Sequence, residues 1–183
     1  MTALFDTPPE QEIEYTEEAE ATTTEFRVGP FTYVMSFEPE NDRGSIVRVE
    51  FKLVDINVPD DELIRMMSKI KKGFQGTGRI QEQEEQPMSL EEAKTMEKQV
   101  INNYGHDELE IMGSYVIKVF GTVLGIIKDY RTKYRTNCII FSADSEDRSR
   151  VYQRMMKSAF PRAGIRVQPS PWGAGTEIRV CFI

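Results

Sequence analysis

The sequence is poor in the residues that build metal centres and disulfide frameworks. It contains a single histidine, His106, and two cysteines, Cys138 and Cys181. One histidine excludes sites built from several imidazoles, and the carboxylates show no ligand spacing, so we expect no metal ion. Each cysteine lies inside an apolar run. We therefore interpret both as small buried hydrophobic residues rather than as a disulfide, which fits a cytosolic compartment.

Long apolar runs are also absent. No stretch reaches the ~18 consecutive apolar residues of a membrane helix, and the most apolar one, 116–127, is interrupted by Lys118. The N-terminus has no basic region followed by an apolar core. We therefore expect neither a secretion signal nor a membrane partner.

Basic residues are scarce in the first part of the chain and acidic residues in the rest. Residues 1–112 hold 11 Lys and Arg against 25 Asp and Glu, whereas residues 113–183 hold 12 against 5. Residues 1–22 contain seven acidic residues and no basic one, which is typical of a flexible tail. We predict an acidic tail over 1–22 and a single domain over 23–183. The asymmetry indicates internal electrostatic complementarity, two faces with different partners, or ordinary solvated surfaces with one acidic tail.

Alternating and helical patterns predict the elements before residue 108. Apolar and polar residues alternate over 26–37 and 47–53, which predicts an antiparallel meander with one solvated face. A helical and acidic-loop segment follows over 59–107. Its first helix opens at Pro59, and a capping box of Ser89 and Glu92 opens a second helix over roughly 90–103.

The final section alternates strands with helices. Helices are predicted over about 118–134 and 147–160, and strands near 109–115, 138–141, 165–167 and 178–182. The prediction is an α+β fold, with a mixed sheet and flanking helices. Its C-terminal half has the order β-α-β-α-β-β, preceded by the meander and two helices.

This C-terminal half resembles a known fold family. The segments Phe141-Ser-Ala143 and Arg148-Ser-Arg-Val-Tyr152, with a preceding Lys118-Val-Phe-Gly-Thr-Val-Leu124, are similar to those of a group of small bacteriophage proteins. That group has an acyl-CoA N-acyltransferase (GNAT-like) fold and no assigned activity. The resemblance covers about residues 108–183. It implies a GNAT-like arrangement and, if the chain were an enzyme, an acetyl-CoA site.

The resemblance also implies which segment would form a CoA phosphate loop. Active GNAT enzymes hold the pyrophosphate on bare backbone N–H groups of an Arg/Gln-x-x-Gly-x-Gly/Ala turn that opens a helix. One alignment places Lys118 and Phe120 where glycines belong. Another keeps Lys118 and Gly121 but ends on Val123. Lys118 and Gly121 are therefore the cofactor-binding candidates of a degenerate loop, and we expect no cofactor.

Tyr152 is the catalytic candidate if the chain is an acyltransferase. It matches the tyrosine with which many GNAT enzymes protonate the departing CoA thiolate, a role that a hydroxyl of pKa ~10 can fill. It also lies on the apolar face of its helix with Met155 and Met156. A core tyrosine is the alternative interpretation.

Basic residues of the last helix are candidates for phosphate or partner contacts. Arg150, Arg154 and Lys157 fall at i, i+4 and i+7, with Arg148 nearby. Such a face can neutralise phosphates. The net charge of −7 and the lack of paired strand aromatics for base stacking favour a solvated face instead. An acidic tail resting on basic residues, its own or a neighbour's, is a further interpretation.

The sequence favours a non-catalytic function. We predict a phage protein that acts as an interaction or virion-assembly component, in the host cytoplasm or the virion, through a protein partner or self-assembly into an oligomer. The loop around Trp172 and the acidic N-terminus are candidate contact elements. An acetyl-CoA-dependent N-acyltransferase is the first alternative, and nucleic-acid binding through the basic C-terminal helices is the second.

Overall fold

The computed structural model describes residues 12–74, 87–102, 113–171 and 175–183. The α+β prediction is confirmed, because the described residues form one mixed sheet of seven strands with four helices. The strands are β1 (Thr16–Glu17), β2 (Thr22–Val28), β3 (Phe31–Pro39), β4 (Ile46–Ile56), β5 (Cys138–Ala143), β6 (Gly164–Pro169) and β7 (Thr176–Cys181). The helices are α1 (Asp60–Phe74), α2 (Leu90–Asn102), α3 (Val116–Tyr134) and α4 (Glu146–Ala159). Within these ranges, no helix has the length and apolar character needed to cross a membrane.

The sheet has the strand order β1-β2-β3-β4-β5-β7-β6. Its neighbouring strands are antiparallel except β4 and β5, which are parallel and are connected through α1, α2 and α3. The ladder between them runs over four residue pairs, from Ile46 and Cys138 to Val49 and Phe141. Beyond this point β4 continues to Ile56 and β5 continues to Ala143. The two central strands are therefore joined at one end and separate at the other.

Helices α3 and α4 cover one face of the sheet. Phe37 of β3 stacks on Tyr130 of α3, with 3.7 Å between ring centroids. Phe51 of β4 contacts Phe120 of α3 and Tyr152 of α4, and Phe141 of β5 contacts Tyr152. Because side chains alternate along a strand, the neighbouring polar residues stand on the opposite face. These are Ser36, Glu50 and Ser142.

The segment before β2 lies against the C-terminal half of α3. The Tyr15 hydroxyl donates a 2.9 Å hydrogen bond to Asp129 Oδ2, and its ring meets Tyr130 edge-on at 5.8 Å. The Tyr134 hydroxyl donates to Glu17 Oε1 at 2.7 Å. Over its described residues, this segment is therefore attached to the core by aromatic contacts and hydrogen bonds.

Cys138 and Cys181 form a disulfide bond. They are opposite each other in the antiparallel ladder of β5 and β7. The prediction of two unbridged cysteines is therefore wrong. Each residue does occupy a strand, but the pairing of β5 with β7 brings the two sulfur atoms together, and this register cannot be read from either run alone.

The predicted capping box of α2 is present. The Glu92 backbone N–H donates to Ser89 Oγ at 3.2 Å, and the Ser89 N–H donates to Glu92 Oε2 at 3.1 Å. The strand predicted near 109–115 is wrong over its described part, because residues Gly113–Tyr115 form a short 3-10 helix that leads directly into α3, and its first part lies outside the described residues. The acidic loop within 59–107 and the contact role of Trp172 also lie outside them.

Candidate functional site

A cavity of about 680 Å³ lies on the polar face of the sheet. It opens where the β4–β5 ladder ends, since Phe51 and Lys52 of β4 and Ser142 and Ala143 of β5 line it. Its other walls come from β2, β3, the start of α4 and the adjoining ends of β6 and β7. A volume in this range suits the binding of a small molecule or of a few side chains of a partner.

Four aromatic rings close the helix side of this opening. The Tyr152 centroid lies 5.5 Å from that of Phe141, 6.2 Å from that of Phe51 and 6.2 Å from that of Phe120. Phe51 and Phe120 also meet edge-on at 6.1 Å. Three of these residues line the cavity, and Phe120 of α3 packs behind them. The floor is therefore an apolar aromatic cluster rather than a channel toward α3.

Tyr152 is part of both the core and the cavity. Its side chain is 7% exposed, and it belongs to the aromatic floor. A place in the core and a place at the cavity are therefore compatible for this tyrosine. It packs as a core residue, and it also presents its surface at the point where the central strands separate.

Arg148 lies one turn before Tyr152 on α4 and lines the same cavity. Its side chain is 13% exposed and forms an ion pair with Asp144 Oδ1 at 3.4 Å. The start of α4 is capped by Ser145, whose Oγ accepts a hydrogen bond from the Arg148 N–H at 3.3 Å. Arg148 therefore belongs to the cavity wall and not to the outer surface of α4.

The other basic candidates of α4 face solvent. Arg150 pairs with Glu146 and with Asp147 on its own helix, so its charge is compensated locally. Arg154 and Lys157 are exposed. The structure therefore divides the predicted basic set between two sides of the helix, with Arg148 on one side and these three residues on the other.

The two cofactor-binding candidates are not brought to Tyr152. Lys118 is exposed, Gly121 is buried within α3, and neither lines the cavity. The helix begins after Tyr115, which makes no side-chain capping hydrogen bond. The bulky Phe120, in the same region of α3, packs into the aromatic floor.

A polar network crosses the sheet beside the cavity. Arg48 of β4 forms ion pairs with Glu177 of β7 at 2.8 Å and with Glu40 at 2.7 Å, and it donates to Ser142 Oγ at 3.0 Å. Gln168 of β6 donates to the second oxygen of Glu177 at 3.2 Å. Burial alone would lower the pKa of Arg48, but the hydrogen bonds to Glu177 and Glu40 outweigh it and raise the pKa.

Sequence reasoning missed this network. Arg48 is only one of several polar residues in an alternating strand, and Glu177 follows a connection rich in Pro and Gly. Their contact depends on β7 lying next to β5, which is a property of the sheet order. No local pattern points to it.

The charges around the cavity are mixed. Lys52 and Arg148 are basic, whereas Glu38, Glu50 and Asp144 are acidic. With an apolar floor below them, these walls suit an amphipathic ligand that carries both hydrogen-bonding and apolar groups. Within the described ranges, no cluster of three His, Cys, Asp or Glu residues could hold a metal ion.

Comparison with known proteins gave no relative. The sequence matches no protein-family model, no curated protein is significantly similar to it, and no solved structure matches the fold significantly. A functional proposal for this chain therefore rests on the cavity and the elements around it.

Proposed function

We propose that this chain is a bacteriophage protein with a degenerate GNAT-like fold that acts as a non-catalytic interaction or virion-assembly component. A partner protein binds at the cavity between β4 and β5. The aromatic floor is the observation that carries this proposal. The central strands separate as a ligand site requires, but Phe51, Phe120 and Tyr152 fill the side on which α3 lies.

The order of elements supports the GNAT-like part of the proposal. GNAT enzymes have a sheet that splays between its central strands. Here the parallel neighbours β4 and β5 separate after Phe141, and α3 and α4 precede and follow β5 in the chain.

The start of α3 argues against CoA as the ligand. A pyrophosphate needs backbone N–H groups that no side chain covers. Lys118 and Phe120 both carry bulky side chains, and the Phe120 ring is committed to the core, where it is 1% exposed. Because the cavity is bounded by other elements, an anion at the start of α3 would lie away from its walls.

The cavity walls suit a protein surface. Hydroxyl groups, both signs of charge and an apolar floor can accept one or two side chains of a partner, with the hydrogen bonds and apolar burial typical of an interface core. The partner is either a second copy of the chain, which gives an oligomer, or another virion or host protein.

The disulfide favours the virion over the host cytoplasm. Disulfides persist in oxidising environments such as virion surfaces and are rare in reducing cytosol. Peptide mapping of purified particles without reductant would detect the chain and the bond between Cys138 and Cys181. Particles without the chain, together with abundant chain in the host cytoplasm, would contradict this location.

Occupation of the cavity is tested by placing a bulky side chain at Ser142. We expect Ser142→Trp to lower the incorporation of the chain into particles, or its self-association, because the indole fills the partner's site. The matched control is Thr132→Trp, at an exposed position of α3. Both variants should keep the wild-type circular dichroism spectrum. Equal incorporation and association of the two variants would refute the proposal.

The acyltransferase alternative keeps one favourable observation, which is the place of Tyr152 on the cavity floor. A tyrosine at the cavity could donate its proton to a thiolate bound there. Calorimetric titration with acetyl-CoA separates the two functions. We expect no binding at millimolar ligand. Binding that Ser142→Trp abolishes, with acetyl transfer that Tyr152→Phe slows, would establish the enzyme instead.

Nucleic-acid binding has weaker support. Arg154 and Lys157 remain exposed on α4, but the partners of Arg150 reduce the positive charge of that face. Anisotropy with a labelled oligonucleotide at low and moderate salt would reveal it. A steep salt dependence that Arg154→Gln reduces would favour this alternative.

A further inference from the structure

Arg166 of β6 and Arg179 of β7 lie directly opposite each other. They are Cα partners in the antiparallel ladder, so both side chains stand on the same face of the sheet, with about 5 Å between their Cβ atoms. This is the polar face, because Arg179 follows Glu177 by two residues and Glu177 contacts Arg48. Two permanently positive side chains therefore lie next to each other on this face of the sheet.

No acidic side chain of the described ranges forms an ion pair with either arginine. Arg48 in the same row of the sheet is neutralised by Glu40 and Glu177. Over the residues that the structure describes, neither Arg166 nor Arg179 forms an ion pair or a side-chain hydrogen bond with an acid. Like charges directly opposite each other destabilise a ladder, so the pair weakens the isolated fold.

The pair also contains an unused hydrogen-bond donor. Arg179 Nε is buried, and no acceptor among the described residues lies within hydrogen-bond distance of it. A buried donor without an acceptor carries a desolvation cost, and a bound ion is one partner that satisfies such a group in native structures. Arg166 is exposed at the edge strand, so a ligand can reach the pair from solvent.

We propose that Arg166 and Arg179 form a binding site for a phosphate group. The planar guanidinium fork matches the oxygen atoms of a phosphate, and the N–H donors of both residues can converge on one oxyanion. The two negative charges of a phosphate dianion neutralise the two positive charges of the arginines, and a phosphate oxygen accepts a hydrogen bond from Arg179 Nε. The site lies on the same face as the cavity but is built from other residues, so it does not depend on what the cavity binds.

The test compares thermal unfolding in inorganic phosphate and in chloride at equal ionic strength. The wild-type protein should melt at a higher temperature in phosphate, because a ligand that binds only the folded state stabilises it. Arg166→Gln and Arg179→Gln should lose this shift. Arg154→Gln removes an exposed arginine from α4 and is the matched control, in which the shift should persist.

A second signature separates the site from a general salt effect. In chloride at low ionic strength, Arg166→Gln should melt above the wild type, since the repulsion from Arg179 is gone. The Arg179 Nε–Hε signal in nitrogen-15 NMR spectra should move on addition of phosphate. The proposal fails if the wild type shows no phosphate shift, or if all four proteins show the same one.

A parallel measurement with oligothymidylate, a single-stranded DNA, identifies the source of the phosphate. The site would be assigned to a nucleic-acid backbone if the oligonucleotide stabilises the protein at a lower concentration of phosphate groups than inorganic phosphate does. This stabilisation should be lost in Arg179→Gln. Stabilisation by inorganic phosphate alone would assign it to a small phosphorylated ligand.

Discussion

Arg48 of β4 and Glu177 of β7 form an ion pair across the intervening strand β5, with 2.8 Å between Nη2 and Oε1. Their side chains are 14% and 5% exposed, so both charges are largely removed from water. Ser142 of β5 accepts a further hydrogen bond from Arg48 at 3.0 Å. The pair connects the two halves of the sheet close to where β4 and β5 separate.

Breaking this pair should destabilise the fold. We expect Glu177→Gln to lower the free energy of unfolding by about 2 kcal/mol, because it leaves the Arg48 charge poorly compensated in a desolvated place. Urea denaturation measures the change. The control is Asp61→Asn, which removes the exposed pair between Asp61 and Arg65 and should cost less than ~0.5 kcal/mol. Equal losses in the two variants would contradict the assigned burial.

The ring of Tyr15 should contribute more to the free energy of unfolding than its hydroxyl does. Tyr15→Ala removes edge-on contacts with Phe37, Tyr130 and Tyr134, and we expect a loss of about 1–2 kcal/mol from this half-buried position. Tyr15→Phe keeps the ring and removes the hydroxyl that donates to Asp129 Oδ2 and to the Ile126 carbonyl, and it should cost about 0.5–1 kcal/mol. Urea midpoints measure both changes, and hydrogen exchange should show faster exchange in β1 for the alanine variant. Greater damage from the phenylalanine variant would refute this order.

Stability should fall at alkaline pH through Tyr134. Burial and the hydrogen bond to Glu17 raise the pKa of this tyrosine from 10.0 to about 12. The folded protein holds the phenolic proton more tightly, so the contribution is complete below pH 10 and disappears as the pH rises through about 12. Tyr134→Phe should therefore show a flatter decline of the urea midpoint above pH 10 than the wild type.

The control for this titration is Thr132→Val, which changes an exposed residue of α3 without removing an ionisable group. Its midpoint should run parallel to that of the wild type at every pH. A decline in Tyr134→Phe as steep as in the wild type would show that other tyrosines carry the alkaline transition.

Reduction of the disulfide should weaken the fold considerably. Cys138 and Cys181 are 43 residues apart, and on chain-entropy grounds their bond contributes up to about 4 kcal/mol. Dithiothreitol should lower the urea midpoint of the wild type and leave that of the doubly substituted Cys138→Ser, Cys181→Ser protein unchanged. Two free thiols in the folded protein before reduction would show that the bond is absent.

Local patterns predicted elements well because their causes are local. The capping box at Ser89 and Glu92 is present, and the predicted helices near 118–134 and 147–160 correspond to α3 and α4 within two residues at each end. Helical periodicity and caps depend on residues a few positions apart. The position of α4 also follows from its N-cap, Ser145.

Pairing between distant strands could not be predicted in this way. Alternation tells which side chains share a face, but it does not tell which strand lies beside which. Strand β7 is the last of the chain and inserts between β5 and β6. The disulfide and the Arg48–Glu177 pair follow from the place of β7 beside β5, and the Arg166–Arg179 pair follows from its pairing with β6. Sequence patterns could not predict these pairs, because the two residues of each pair belong to different strands.

The short β4–β5 ladder also has a consequence for how the chain folds. It joins residues about ninety positions apart, so closing it carries a large loop entropy, whereas β2–β4 and β5–β7 form from nearer segments. We expect the meander to form first during synthesis, with Phe37 and Phe51 uncovered until α3 emerges from the ribosome. Pulse-labelled hydrogen exchange should protect β3 before β5, and a holdase chaperone should bind chains that end before residue 116.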